Sequence, residues 1–228
     1  MEQRRDSATA YIILADGFET IEALTPLDVL RRCGVEVTTI SLNKTRAVRS
    51  SHGVTVEADA TMEDFMHNCN CCASGTGTGT NSSIAGSSTS ASDTNTTAST
   101  STNVSGTMRQ ALILPGGYPG YKNLCESAEV GALITQFHKE GKLLCAICGA
   151  PTALKANQIC RGAAITCHTS VKEELSDYYS ILSSAVVKYM NIITGMGAGR
   201  SLDFAFAIAE SLTSKEKVEE IKAKMEII

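Results

Sequence analysis

The strongest constraint in this sequence is a set of short, unbroken apolar runs, each ending in a small-residue turn that leads into a helical pattern. Tyr11-Ile12-Ile13-Leu14-Ala15 runs into Asp16-Gly17, Ala111-Leu112-Ile113-Leu114 into Pro115-Gly116-Gly117, and Leu143-Leu144-Cys145-Ala146-Ile147 into Cys148-Gly149-Ala150-Pro151. A strand wet on one face alternates apolar and polar residues, whereas one that is apolar throughout needs cover on both faces. After the first run, Ile21, Leu24, Leu27, Val29 and Leu30 mark a helix that stops at Cys33-Gly34, and Val35 to Ile40 is a second strand. Strand, helix and strand with short links make a βαβ unit and hence a parallel sheet. In such sheets ligands bind at the C-terminal strand ends, where the three turns fall.

The remaining pattern extends this unit. Val54 to Ala58 reads as a short strand pair or edge and Met62 to Phe65 as the start of a helix. A helix from Ala128 to Lys139 places Val130, Leu133, Ile134 and Phe137 on one face, and another begins at Thr152. Ala163 to Thr166 and Ala185 to Val187 are further strands, Ile192 to Thr194 leads into a glycine-rich run, and helices at Leu202 to Leu212 and Lys215 to Met225 close the chain. Between Cys69 and Thr107 the composition shifts to Ser, Thr, Gly, Ala and Asn with one charge, Asp93. Such a stretch buries too little apolar area to offset its ordering entropy. It is expected to be a disordered loop insertion at 69–107 within one domain spanning 1–228.

Composition narrows the function classes. A net charge of -4 offers no basic stripe for nucleic acid, and with aromatics at 5% and no Trp there is little to stack bases on. No apolar run reaches membrane-spanning length, and Ala10 to Ala15 is too short for a signal sequence. The chain therefore reads as soluble and cytoplasmic. Its 9 cysteines are odd in number and lack a secretory context, which points to reduced thiols rather than a disulfide scaffold. Cys33, Cys125, Cys160 and Cys167 read as buried small hydrophobes.

Cys148 stands apart because it sits between a buried strand and a helix that starts with small residues. A tight strand-to-helix turn can present a nucleophile, and a helix N-terminus favours the thiolate, so a low thiol pKa is expected. The alternative is a structural cysteine at a βα junction. Gly116 and Gly117 let backbone N–H groups approach a ligand and, with the Gly149 N–H, suit an oxyanion site; an ordinary turn explains them equally. Glu19 and Glu22 share a face of the first helix, where a carboxyl beside a thiol could move protons, or where acidic residues merely favour a helix start. His168 follows a strand and could approach Cys148; His52 and His138 read as surface positions. His67, Cys69, Cys71 and Cys72 are too tightly spaced for paired zinc hooks, so no metal site is expected. The sequons at Asn81, Asn95 and Asn103 follow from the Ser/Thr-rich composition. Gly195-Met196-Gly197-Ala198-Gly199 comes too late in the chain for a dinucleotide loop.

Taken together, Leu114-Pro115-Gly116-Gly117, Leu144 to Leu154, Glu22 with Pro26 to Arg32, and Ala163 to Thr169 resemble the ThiJ/PfpI superfamily, in the branch of the Parkinson-associated protein deglycase. The resemblance spans Tyr11 to Leu212 apart from the insertion. It implies an α/β, flavodoxin-like three-layer sandwich with a mostly parallel sheet, of the class I glutamine amidotransferase-like type, that forms a homodimer and needs no cofactor. It further implies Cys148 as the reactive cysteine, Glu22 as the carboxyl bonded to its sulfur, Gly117 and Gly149 as oxyanion donors, and His168 as the pocket histidine. The implied activity is a glutathione-independent glyoxalase or deglycase on methylglyoxal and glyoxal adducts, with a small aldehyde as substrate. The alternatives are a non-catalytic redox sensor or chaperone through Cys148 oxidation and, more weakly, a role with thiamine precursors. Gly149 replaces the histidine of the peptidase-like branch, which argues against a Cys–His peptidase, and the alanine common in the deglycase branch. His52 and Ala198 replace that branch's pocket arginine and late-turn proline.

Overall fold

Side-chain alternation along the central strands determines the layering. In β1 (Thr9–Leu14), Ala10, Ile12 and Leu14 pack into one buried cluster while Ile13 packs into another on the opposite face. Both clusters are fully dry at these positions, as the apolar runs require. The computed structural model describes residues 8–68 and 109–227; the insertion expected at 69–107 and the cysteines at its start lie outside the described residues.

The seven-stranded sheet has the order β10-β11-β7-β6-β1-β2-β5. It uses β2 (Glu36–Ser41), β5 (Ala60–Thr61), β6 (Gln110–Leu114), β7 (Leu143–Ile147), β10 (Val186–Tyr189) and β11 (Ile192–Gly195). All pairs are parallel except β10 with β11. On one face lie α1 (Thr20–Arg32), α7 (Ser201–Leu212) and α8 (Lys215–Lys224), with Val29, Leu30, Phe204, Ile208, Val218 and Ile221 in the core. The other face is covered mainly by α4 (Ala128–Lys139) and α5 (Pro151–Ala156). The result is a three-layer α/β sandwich of the flavodoxin-like, class I glutamine amidotransferase-like type. Phe18, Phe137 and Phe204 are among its largest fully buried side chains, each stabilising by about 1.5–3 kcal/mol.

Local signals set the helix ends. Gly34, at φ 81°, ends α1: its N–H donates to the Arg31 carbonyl, and the Val35 N–H reaches back to Leu30, a left-handed cap that glycine adopts without strain. Ser127 caps α4 by accepting from the Val130 N–H, and α4 buries the expected Val130, Leu133, Ile134 and Phe137. The region Val54 to Ala58 forms β4 (Thr55–Glu57), paired antiparallel with β3 (Ala47–Arg49). The strand expected at Ala163 to Thr166 shrinks to β8 (Ala164–Ile165), which pairs with β9 (Ser180–Ile181) outside the main sheet. The Thr166 N–H is instead taken by the Thr194 hydroxyl. His138, expected on the surface, is half-buried, with Nε2 3.7 Å from the Cys160 sulfur. Cys125 and Cys160 are likewise only half-buried, while Cys33 and Cys167 are buried as expected.

Candidate active site

Strand order brings the three turns together. From β1 the chain steps to β2 on one side and later returns as β6 on the other, so the sheet's switch point lies beside the C-terminal ends of β1, β6 and β7, where open α/β sheets leave a crevice. Each end contributes one part. Gly17 to Glu19 lead into α1 and Glu22, Pro115 to Gly117 follow β6, and Cys148 follows β7.

Cys148 has φ 64°, a left-handed conformation that costs a non-glycine residue roughly 1–2 kcal/mol. Its surroundings over-determine it: the Cys148 N–H donates to the Gly195 carbonyl at 2.9 Å, and its own carbonyl accepts from the His168 N–H at 2.9 Å. The turn leaves the thiol half-buried. The N–H groups of Gly117 and Gly149 are both directed at the sulfur.

Glu22 is fully buried, which its position in the first turn of an exposed-looking helix did not announce. Oε2 accepts from the Gly116 N–H at 2.8 Å, the carboxyl is hydrogen-bonded to Cys148, and Oε1 has no partner among the described residues. Burial raises the carboxyl to about 7; the bonds from Gly116 and Cys148 pull it down, and the charge of Glu19 pushes it up. The thiol is pushed up to about 12, first by burial and then by the charge and hydrogen bond of Glu22, against the two glycine N–H groups. The thiol pKa thus moves opposite to the direction expected from the helix end: burial of the thiol, and after it the adjacent carboxyl, outweigh the helix terminus. Each of the two groups thus shifts the ionisation of the other.

Gly116, expected with Gly117 as a backbone donor to a ligand, gives its N–H to Glu22 instead and borders both the acid and the thiol. A Cβ there would lie 2.6 Å from both Cys148 Cβ and Glu22 Oε2 and 3.1 Å from the sulfur, so a side chain would occupy the space through which acid and thiol meet. Tyr121 was missed altogether. Its ring lies against Gly149, where a Cβ would be 2.7 Å from Cδ1, and no local pattern announces a contact between residues so far apart in sequence. His168 is exposed, and its Nδ1 engages the Ser170 N–H at 3.2 Å and hydroxyl at 2.8 Å. Its backbone touches Cys148, but its ring has no hydrogen bond to Cys148 or Glu22 among the described residues. His52 is exposed and sits 3.4 Å from Glu19. The structure thus gathers Cys148, Glu22, Gly117 and Gly149 and leaves the two histidine rings outside that cluster. A groove of about 900 Å³ beside Met66, Cys125 and Asn157 shares none of these residues; it lacks the nucleophile–acid contact that defines the site.

The DJ-1/PfpI family profile matches residues 8–211. The chain belongs to that family. Protein dj-1beta of Drosophila melanogaster is 32% identical over 216 residues, 94% of this chain and 95% of the relative. Its crystal structure superposes with a TM-score of 0.77 at 30% identity, covering 97% of this chain and 99% of that one. The Parkinson disease protein 7 homolog of Danio rerio is 30% identical over 218 residues, 95% of each chain. A Caenorhabditis elegans relative named as the glutathione-independent glyoxalase DJR-1.2 is 38% identical over 107 residues, 46% of this chain and 56% of its own. The DJ-1/PfpI assignment agrees with the three-layer fold. No helix among the described residues is long and apolar enough to cross a membrane.

Proposed function

We propose that this chain is a glutathione-independent glyoxalase that acts on methylglyoxal and glyoxal and on their early protein adducts. The observation that carries the reading is the contact between the half-buried Cys148 thiol and the fully buried Glu22 carboxyl. A carboxyl near 7 is half ionised at neutral pH, where a general base is most effective. Glu22 takes the thiol proton as sulfur adds to the aldehyde carbon, forming a hemithioacetal whose oxygen gains the proton. Glu22 then removes the hydrogen on that carbon and returns it to the neighbouring carbonyl carbon. The aldehyde carbon is thereby oxidised to a thioester while the ketone is reduced to an alcohol, so no external oxidant is needed. Water cleaves the thioester to lactate and regenerates the thiol. The Gly117 and Gly149 N–H groups hold charge on sulfur during the exchange. His168 serves at the edge of the site, as a substrate contact.

The test is lactate formation from methylglyoxal without glutathione, comparing wild type with Cys148→Ala and Glu22→Gln. Turnover lost in both variants supports the reading; turnover surviving in Cys148→Ala refutes it. The same open thiol, faced by two N–H donors, also suits the redox-sensor reading, in which peroxide oxidises sulfur. Folded wild type without turnover that gains oxygen mass at Cys148 under peroxide favours that alternative. Homodimer assembly and cytoplasmic residence belong to the same proposal, and sedimentation and localisation of the tagged chain check them.

A further inference from the structure

Two aromatic rings are attached to the two residues whose N–H groups face the sulfur. Gly149 is buried, and a Cβ there would lie 2.7, 2.8 and 2.9 Å from Cδ1, Cγ and Cε1 of Tyr121. The absence of a side chain after the nucleophile is thus what admits this ring, pressed against the backbone of the turn. The Tyr121 N–H donates to the carbonyl of Gly117 at 2.9 Å, tying it to the second donor residue as well. Tyr118 follows Gly117 directly, is 67% exposed, and has its ring centroid 6.3 Å from that of Tyr121 at an interplanar angle of 56°. One exposed tyrosine is unremarkable on a protein surface. Lys122 Nζ lies 5.5 Å from the Tyr118 ring centroid on one side of that ring. A tilted pair, one ring following Gly117 in the chain and the other packed against Gly149, offers an aromatic face of the kind that accepts another ring in an offset or edge arrangement.

Building on the glyoxalase reading, we propose that Tyr118 and Tyr121 make this site selective for 2-oxoaldehydes carrying a planar aromatic substituent over methylglyoxal. The chemistry is unchanged and balances in the same way. Sulfur bonds to the aldehyde carbon, its hydrogen moves to the adjacent carbonyl carbon, and water releases the acid, so an arylglyoxal plus water gives a 2-hydroxy-2-aryl acetate. The substituent beyond the ketone lies on the tyrosine face, while the reacting carbons stay at Cys148 and Glu22.

The experiment compares kcat/KM for phenylglyoxal and methylglyoxal, read as mandelate and lactate, in wild type, Tyr118→Ala and Tyr121→Phe. Wild type is expected to favour phenylglyoxal. Tyr118→Ala should lower the phenylglyoxal-to-methylglyoxal ratio about three- to tenfold, mainly through KM, while Tyr121→Phe, which keeps the ring, should preserve the ratio. A wild type that converts methylglyoxal but prefers it to phenylglyoxal overturns the inference and leaves the glyoxalase reading standing. An unmoved ratio in Tyr118→Ala does the same. Folded wild type that converts neither substrate overturns both.

Discussion

Replacing Glu22 with Gln isolates the electrostatics of the site. The carboxyl moves from an ordinary 4.5 to about 7 on folding, chiefly through burial. A raised acid favours the folded state only while it is protonated. Its contribution is therefore fully present below about pH 4.5 and is lost as pH rises through about 7. A shift of this size corresponds to about 3 kcal/mol of pH-dependent stability. Gln keeps an oxygen to accept the Gly116 N–H but carries no charge at any pH. Urea unfolding under reducing conditions, at intervals from pH 4.5 to 8, should show Glu22→Gln gaining about 3 kcal/mol on wild type across the window. The contribution of Cys148 gives a second arm, because its hydrogen bond pulls the carboxyl down. In Cys148→Ala the Glu22-dependent change should move to higher pH. Parallel stability curves for wild type and Glu22→Gln would refute the reasoning, because they would mean that the carboxyl is not held protonated by burial. The acid–base role drawn from that pKa would then fall with it.

Two substitutions test the packing around the sulfur. Gly116→Ala puts a Cβ 2.6 Å from Glu22 Oε2 and Cys148 Cβ. It should cost about 1–3 kcal/mol in urea unfolding and lower kcat about a hundredfold, by separating acid from thiol. Gly149→Ala drives a Cβ into the Tyr121 ring and should destabilise by a similar amount. Adding Tyr121→Ala should restore part of the loss, with a coupling of about 1 kcal/mol in a double-mutant cycle; strict additivity would mean that the ring is not what constrains residue 149.

Much of this architecture is legible because it depends on periodicity and punctuation. Runs such as Ala111 to Leu114 and Leu144 to Ile147 are dry on both faces, so a double-sided sheet follows from them alone, and Cys33-Gly34 ends a helix for a backbone reason that any sequence position would share. Cys148, Glu22, Gly117 and Gly149 were identifiable through local turns and family motif together. What the sequence hides is environment. Glu22 looks like an ordinary helix-start acid until the fold buries it against Gly116, and burial of the thiol itself, with the Glu22 carboxyl beside it, turns the expected low thiol pKa into a raised one. Tyr121 and Gly149 were separately unremarkable, since their contact exists only after α3 (Gly120–Glu126) docks beside the cysteine turn. Strand β8 was overestimated because Thr166, though β-branched, gives its N–H to a side chain rather than to a ladder.

The strained cysteine and the raised carboxyl have a common origin in sheet order. Placing β6 and β7 on the side of β1 opposite β2 brings three strand ends beside one another, and the turns after β6 and β7 aim backbone donors at the Glu22 carboxyl and the Cys148 sulfur. A thiol held there at φ 64° cannot relax without breaking its bonds to the Gly195 carbonyl and the His168 N–H, and α1, which carries the carboxyl, is packed against α7. The folded core, rather than the site itself, carries the cost of holding both groups in unfavourable states. Substitutions that loosen the α1–α7 contact should therefore let the thiol pKa fall back toward its ordinary value and speed reaction at Cys148 before they unfold the protein, and a measurable rise in thiol alkylation rate at unchanged helical content would be the sign of it.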